Sequence, residues 1–243
     1  MPLTIRPIPL FSDNYAWIIQ DVATGAVAVV DPADADPVIA ALEASGGRLD
    51  LILLTHHHAD HIAGADAVRA HYGAPIVGAA GDAARLPRLD QAVVEGQVVS
   101  LGGASAQVIE TPGHTIGHIA FYFPDGPALF CGDTLFSLGC GRLLEGSAAQ
   151  MFDSLAKFAT LPADTMVYCG HEYTQSNARF ARHADPANAA LAARAEAVDR
   201  LRAAGEATVP SRLGDEMAEN PFLRAATVEE LARLRAEKDV FRG

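Results

Sequence analysis

The stretch Leu51 to Gly64, LILLTHHHADHIAG, constrains this chain more than any other. Residues 49–54 are almost continuously aliphatic and read as a strand buried on both faces, which stops at Thr55 and runs into three consecutive histidines, an aspartate and a fourth histidine. In the extended or loosely turning segment that follows, His56 and His58 lie two apart and point to the same side. Asp60 and His61 diverge toward a second centre. Imidazole and carboxylate together suit zinc, iron or manganese without selecting strongly among them.

Ligand-type residues recur in the same way further on. Thr111 to His118, TPGHTIGH, follows a β-like run; a second apolar run ends in Cys131-Gly-Asp133; a third ends in Cys169-Gly-His171. Four strands thus each deliver a ligand just past their last apolar residue: His56 onward, His114, Asp133 and His171. In layered α/β folds such strand ends gather on one edge of a sheet, where loops build sites on a rigid scaffold. Of the nine histidines, all but His71 and His183 fall in these segments, and those two read as surface or capping residues. Asp31, also at a strand end, fits two roles equally: orienting a ligand from behind, or capping a loop.

With 243 residues, half of them hydrophobic and 20% charged, the chain has room for one large α/β domain or a domain with an appendage. A net charge of −12 excludes a general nucleic-acid binder, and with only Lys157 and Lys238 as lysines an anionic substrate needs a local cationic patch. No apolar run approaches the ~20 residues that span a bilayer, and MPLTIRPIPLF is not a leader, so no membrane partner and a cytoplasmic location are expected. Cys131, Cys140 and Cys169 have no CxxC spacing and predict free thiols in a reducing compartment.

Residues 3–10, 15–20 and 26–30 predict a strand meander, followed by a helix capped at Asp36-Pro37 and stopping at Gly46-Gly47. A helical pattern covers 62–72, and strands are expected near 75–77, 97–101 and 106–110, then as a pair over 119–123 and 128–131 and again over 165–169. Ser147 and Gln150 form a capping box for a helix to Ala159 with the apolar stripe Met151, Phe152, Leu155 and Phe158. After His171 no strand is expected and three helices are, over 186–204, 212–219 and 228–239. That change of character puts a domain boundary near Tyr173, giving residues 1–173 and 174–243.

THHHADH, TPGHT, GDTLF and GHEYT together resemble the metallo-β-lactamase superfamily. Further motifs resemble glyoxalase II, the hydroxyacylglutathione hydrolases: DNY at 13–15, GCGR at 139–142, CGHEYT at 169–174, NPF at 220–222 and RAEKD at 235–239. The resemblance covers essentially the whole chain. It implies a four-layer αββα sandwich and a small helical C-terminal domain that binds glutathione. It assigns His56, His58 and His114 to one metal, Asp60, His61 and His171 to a second, and Asp133 to both, with Asp60 and Asp133 positioning a bridging hydroxide. Two divalent ions, most simply zinc, are implied. His57 and His118 match no ligand position and are expected to bond or pack near the site; Cys131 and Cys169 are expected as buried thiols.

The implied reaction is hydrolysis of S-(2-hydroxyacyl)glutathione, such as S-D-lactoylglutathione, by a monomer. Arg235 and Lys238, three apart on one helix face, match the family's glutathione-binding pair, and Tyr173 its substrate-contacting tyrosine. Arg142 stands where the family often has lysine, and Leu144 where many members have tyrosine. A persulfide dioxygenase of the same superfamily, a β-lactamase and a non-catalytic metal module are the competing readings. Oxygen uptake, nitrocefin turnover and indifference to chelator would respectively reveal them.

Overall fold

The apolar run before the histidines becomes a strand of three buried residues in the parallel part of a mixed sheet. The structure, a computed structural model, describes residues 3–243, and the chain divides into two compact units: Met1–Glu110 with Gly117–Gly132, and Thr111–Ile116 with Asp133–Gly243. Met1 and Pro2, included in the sequence-based first domain, lie outside the described residues.

In the first unit, β1 (Leu3–Leu10), β2 (Asn14–Asp21) and β3 (Val27–Val30) form the expected antiparallel meander. From β3 the sheet becomes parallel. Helix α1 (Ala35–Glu43) returns the chain to β4 (Leu51–Leu53), α2 (Ala59–Ile62) and α3 (Ala65–Tyr72) return it to β5 (Ile76–Ala79), and β6 (Gln91–Val93) completes six strands in sequence order. Val38 and Leu42 of α1 and Val68 of α3 pack with Ile18, Ile52, Leu54 and Ile76. Full burial of each such side chain contributes ~1.5–3 kcal/mol. The unit continues as an antiparallel run of β7 (Val98–Leu101), β8 (Ala104–Glu110), β9 (Ile119–Phe123) and β10 (Ala128–Gly132), with Phe123 edge-on to Phe130.

Two expectations shift here. Helix α1 is capped at Asp34, not Asp36, without a side-chain cap bond, and Pro37 falls in its first turn, where a missing N–H costs nothing. Asp60 and His61 lie on the helical turn α2, wound more tightly than the extended or loosely turning segment expected. Gly73 ends α3 in the left-handed conformation at φ 71°, as a helix-stopping glycine should.

The second unit begins its regular structure with a hairpin, β11 (Leu135–Phe136) and β12 (Gly139–Cys140). Helix α4 (Ala148–Phe158) has the expected capping box: the Gln150 N–H donates to Ser147 Oγ at 3.2 Å and the Ser147 N–H to Gln150 Oε1 at 2.8 Å. Met151, Leu155 and Phe158 are buried, Phe152 only partly. Strand β13 (Met166–Cys169) leads to α5 (Thr174–Ala184), α6 (Ala189–Ala203), β14 (Ser211–Arg212), α7 (Leu213–Glu219) and α8 (Val228–Val240). The region after His171 therefore has four helices and a short strand, not three helices and none. Helix α5 escapes sequence reading because its buried face mixes Thr174 and Asn177 with Ala178, Phe180 and Ala181. Strand β14, opposite Met166 and Val167, is too short to show a period. Leu138, Ala178, Ala181, Leu191 and Ala195 form a separate core. Among the described residues no helix is long and apolar enough to cross a membrane.

Candidate metal centre

In the first unit the histidines are held by a carboxylate at the end of β3. Asp31 sits at φ 50°, a left-handed conformation that aspartate tolerates better than most residues. Its Oδ1 accepts the Thr55 N–H at 2.8 Å and its Oδ2 accepts the Thr55 hydroxyl at 2.6 Å. With its proton committed to Asp31, Thr55 Oγ1 can only accept from His56 Nδ1, 3.0 Å away, so His56 carries its proton on Nδ1 and its lone pair on Nε2. His61 Nδ1 likewise donates to Asp31 Oδ2 at 3.0 Å, freeing its own Nε2. Asp31, His56 and His61 bring ligand-type atoms within 4.8 Å of one another. Of its two open roles, orienting a ligand is the one this geometry gives Asp31.

His56 Nε2 lies 3.1 Å from His58 Nδ1. Two imidazole nitrogens that close need a proton or a cation between them, so this donor set fits a metal. Asn14 of DNY donates from Nδ2 to the Asp60 carbonyl at 3.0 Å and to its Oδ2 at 3.2 Å. His57 and His118 take the supporting places expected: His57 Nδ1 meets Asp82 Oδ2 at 2.9 Å, and His118 stacks on His56 with centroids 4.7 Å apart. Thr55, Asn14 and Asp82 are the supports that sequence reading did not name. The first two stand inside quoted motifs, whereas Asp82 is 25 residues from His57 and carries no signal.

In the second unit Asp133 Oδ2 lies 3.5 Å from His114 Nε2 and 3.3 Å from His171 Nε2, all three residues being buried. His114 Nδ1 is 2.8 Å from the Arg142 carbonyl oxygen. A carbonyl only accepts, so here too Nδ1 holds the proton and Nε2 the lone pair. The Tyr173 ring stacks on His171 at 4.5 Å and 5°, and Phe136 meets Tyr173 edge-on at 5.4 Å.

The groups expected to meet substrate are unequally exposed. Arg142 is exposed, with its Nε 3.8 Å from Asp239, and Leu144 is exposed. Lys238 Nζ donates to the Ser176 carbonyl and Oγ, both at 2.9 Å, and lies over the Phe180 ring. Partial burial, then the neighbouring Arg235, Arg142 and Arg179, bring its pKa down to about 8. Arg235 is buried. All three cysteines are buried and none is in a disulfide; burial pushes Cys140 up to about 11 and Cys169 up to about 12.

Residues 11–171 match the metallo-beta-lactamase superfamily, and residues 172–241 match the hydroxyacylglutathione hydrolase C-terminus. A hydroxyacylglutathione hydrolase of Acidiphilium cryptum is 61% identical over 238 residues, covering 98% of this chain and 97% of its own. The chain belongs to the hydroxyacylglutathione hydrolase family. Among solved structures, ETHE1 from Myxococcus xanthus is similar with a TM-score of 0.74 at 27% identity, covering 98% of this chain and 92% of its own. A protein solved in a di-iron-bound form matches at a TM-score of 0.59 and 29% identity, over 68% of this chain and 91% of its own. The fold expected for the family, a metallo-β-lactamase α/β fold with a helical C-terminal region, is the one found.

Proposed function

We propose that this chain hydrolyses the thioester of S-(2-hydroxyacyl)glutathione, such as S-D-lactoylglutathione, to a 2-hydroxy acid and glutathione, the second step of methylglyoxal detoxification. The observation that carries the reading is that residues 172–241 match the hydroxyacylglutathione hydrolase C-terminus behind a metallo-beta-lactamase superfamily match over residues 11–171, with a hydroxyacylglutathione hydrolase 61% identical over 98% of the chain. Two divalent ions, zinc in our reading, would be held by His56, His58 and His114, by Asp60, His61 and His171, and by Asp133 common to both. The donor chemistry supports this: His56, His61 and His114 all bond through Nδ1 and leave Nε2 as the lone-pair atom. When bound, such a pair supplies a nucleophilic hydroxide at neutral pH by lowering the pKa of water from ~15.7 toward ~7.

The chain's own groups do the rest. Asp60, steadied by Asn14, and Asp133 orient the attacking oxygen. Water adds to the thioester carbonyl, the carbon–sulfur bond breaks, and a thiolate leaves without strong acid catalysis. Arg142, Tyr173 and Lys238, three of the family's four substrate positions, serve the glutathione moiety, whose two carboxylates this acidic chain meets with local cations, while the fourth, Arg235, is buried. Residues 1–173 then carry the chemistry and residues 174–243 the glutathione grip, in a cytoplasmic monomer. Purified, zinc-loaded protein should release one thiol per S-D-lactoylglutathione consumed. An intact thioester alongside oxygen uptake with glutathione persulfide, or alongside nitrocefin turnover, would overturn the reading.

A further inference from the structure

Arg235 lies in a motif that grips substrate in the family, yet here its guanidinium points inward. The residue is 5% exposed. Nη1 donates to the Cys140 carbonyl at 2.7 Å, Nε and Nη2 donate to Asp239 Oδ1 at 3.2 and 2.9 Å, and Cζ lies 5.1 Å from the centre of the Phe222 ring. A buried fork engaged on both sides presents little to a substrate carboxylate.

What it holds is a strip of three consecutive residues, each tied to something different. Cys140 offers its carbonyl to Arg235. Gly141 donates its N–H to the Thr134 carbonyl at 3.2 Å, and a Cβ there would run into the Asp133 carbonyl oxygen and lie 3.1 Å from His114 Cβ, so only glycine lets the strip come this near. Arg142 accepts the His114 Nδ1–H on its carbonyl. The other end of the hairpin is held by the NPF segment: Asn220 Nδ2 donates to the Phe136 and Gly139 carbonyls at 3.1 and 3.0 Å. The GCGR, NPF and RAEKD motifs are thus one hydrogen-bonded assembly whose output is the carbonyl facing His114.

We propose that Arg235 is a positioning residue: by fixing residues 140–142 it sets the ring orientation and tautomer of His114, and so ties the C-terminal helix α8 to metal retention. This rests on the reading of His114 as a metal-holding residue. Arg235→Met keeps most of the volume and removes the fork; Arg235→Lys keeps the charge with one compact donor group. Both should lose metal to a chelator faster, with affinity weakened on the order of 10–100-fold. Both should lower kcat by more than they raise KM, and in metal-free protein the His114 Nδ1–H NMR signal should exchange faster with water. Lys238→Ala, one turn along the same helix, should instead raise KM while keeping metal at the wild-type level.

An Arg235→Met protein that retains metal like wild type and raises only KM would make Arg235 a direct substrate contact and overturn the proposal. A lowered melting temperature with metal retention and kcat untouched would reduce it to a stability element, with the same effect. Should the Met variant fail to fold, the Lys variant decides by the same criteria. Metal retention is measured without substrate, so it judges the proposal even where wild-type protein leaves S-D-lactoylglutathione intact, a result that would sink the functional reading alone.

Discussion

Asp31 shows how far single residues can be read. Its place at a strand end marks it as interesting, but the choice between loop cap and ligand support depends on His61, 30 residues away. Because it accepts from Thr55 and His61 together, Asp31→Ala should weaken metal affinity on the order of 10–100-fold in a zinc titration, with little change in secondary structure by circular dichroism. Lys238 is where a pH dependence is expected. Its ordinary pKa is lowered to about 8, first by desolvation and then by Arg235, Arg142 and Arg179, so the ammonium is present below that pH and lost above it. KM for S-D-lactoylglutathione should therefore rise as pH climbs from 7 to 9, and Lys238→Met should abolish that rise while raising KM at pH 7. A pH-independent KM in wild type would remove Lys238 from the substrate grip. The buried thiols give a further check: Ellman's reagent at pH 8 should find almost no reactive cysteine until denaturant is added, and then three.

Elements with a strong local signal were legible, and those defined by tertiary contact were not. The α4 capping box is written in Ser147 and Gln150, and Ser147→Ala should cost ~1 kcal/mol in urea unfolding. Helix α5 was missed because two of its buried positions are polar: Asn177 Nδ2 donates to the Ser137 carbonyl at 3.1 Å, a partner 40 residues away. Nor does sequence period reveal the buried hub on α7. Glu216, fully buried, accepts the Leu138 N–H at 2.8 Å and Asn220 Nδ2 at 3.0 Å and pairs with Arg194. Leu138 itself sits at φ 58°, a conformation a bulky residue adopts only when its surroundings impose it. Arg194→Met would leave that carboxylate buried and uncompensated, so a loss of ~3–5 kcal/mol is expected by urea denaturation. A change under 1 kcal/mol would show that the hub relaxes or takes up water.

At the scale of the molecule, strand ends were the legible feature, because a buried strand that stops at a histidine or aspartate is visible in hydropathy alone. His56, His114, Asp133 and His171 all follow that rule. What hydropathy cannot show is which nitrogen each imidazole offers, because that is set by Thr55, Asp31 and the Arg142 carbonyl. It also cannot show that a cation on helix α8 is turned inward, as Arg235 is. The two-metal thioesterase reading draws on both, and one experiment weighs it most directly: metal content and S-D-lactoylglutathione turnover followed together as chelator is titrated into zinc-loaded protein. Two equivalents of metal per chain, with thiol release falling as metal is withdrawn and returning on readdition, is the expected result. Thiol release that ignores the chelator, or a fully loaded protein that leaves the thioester intact, would contradict it.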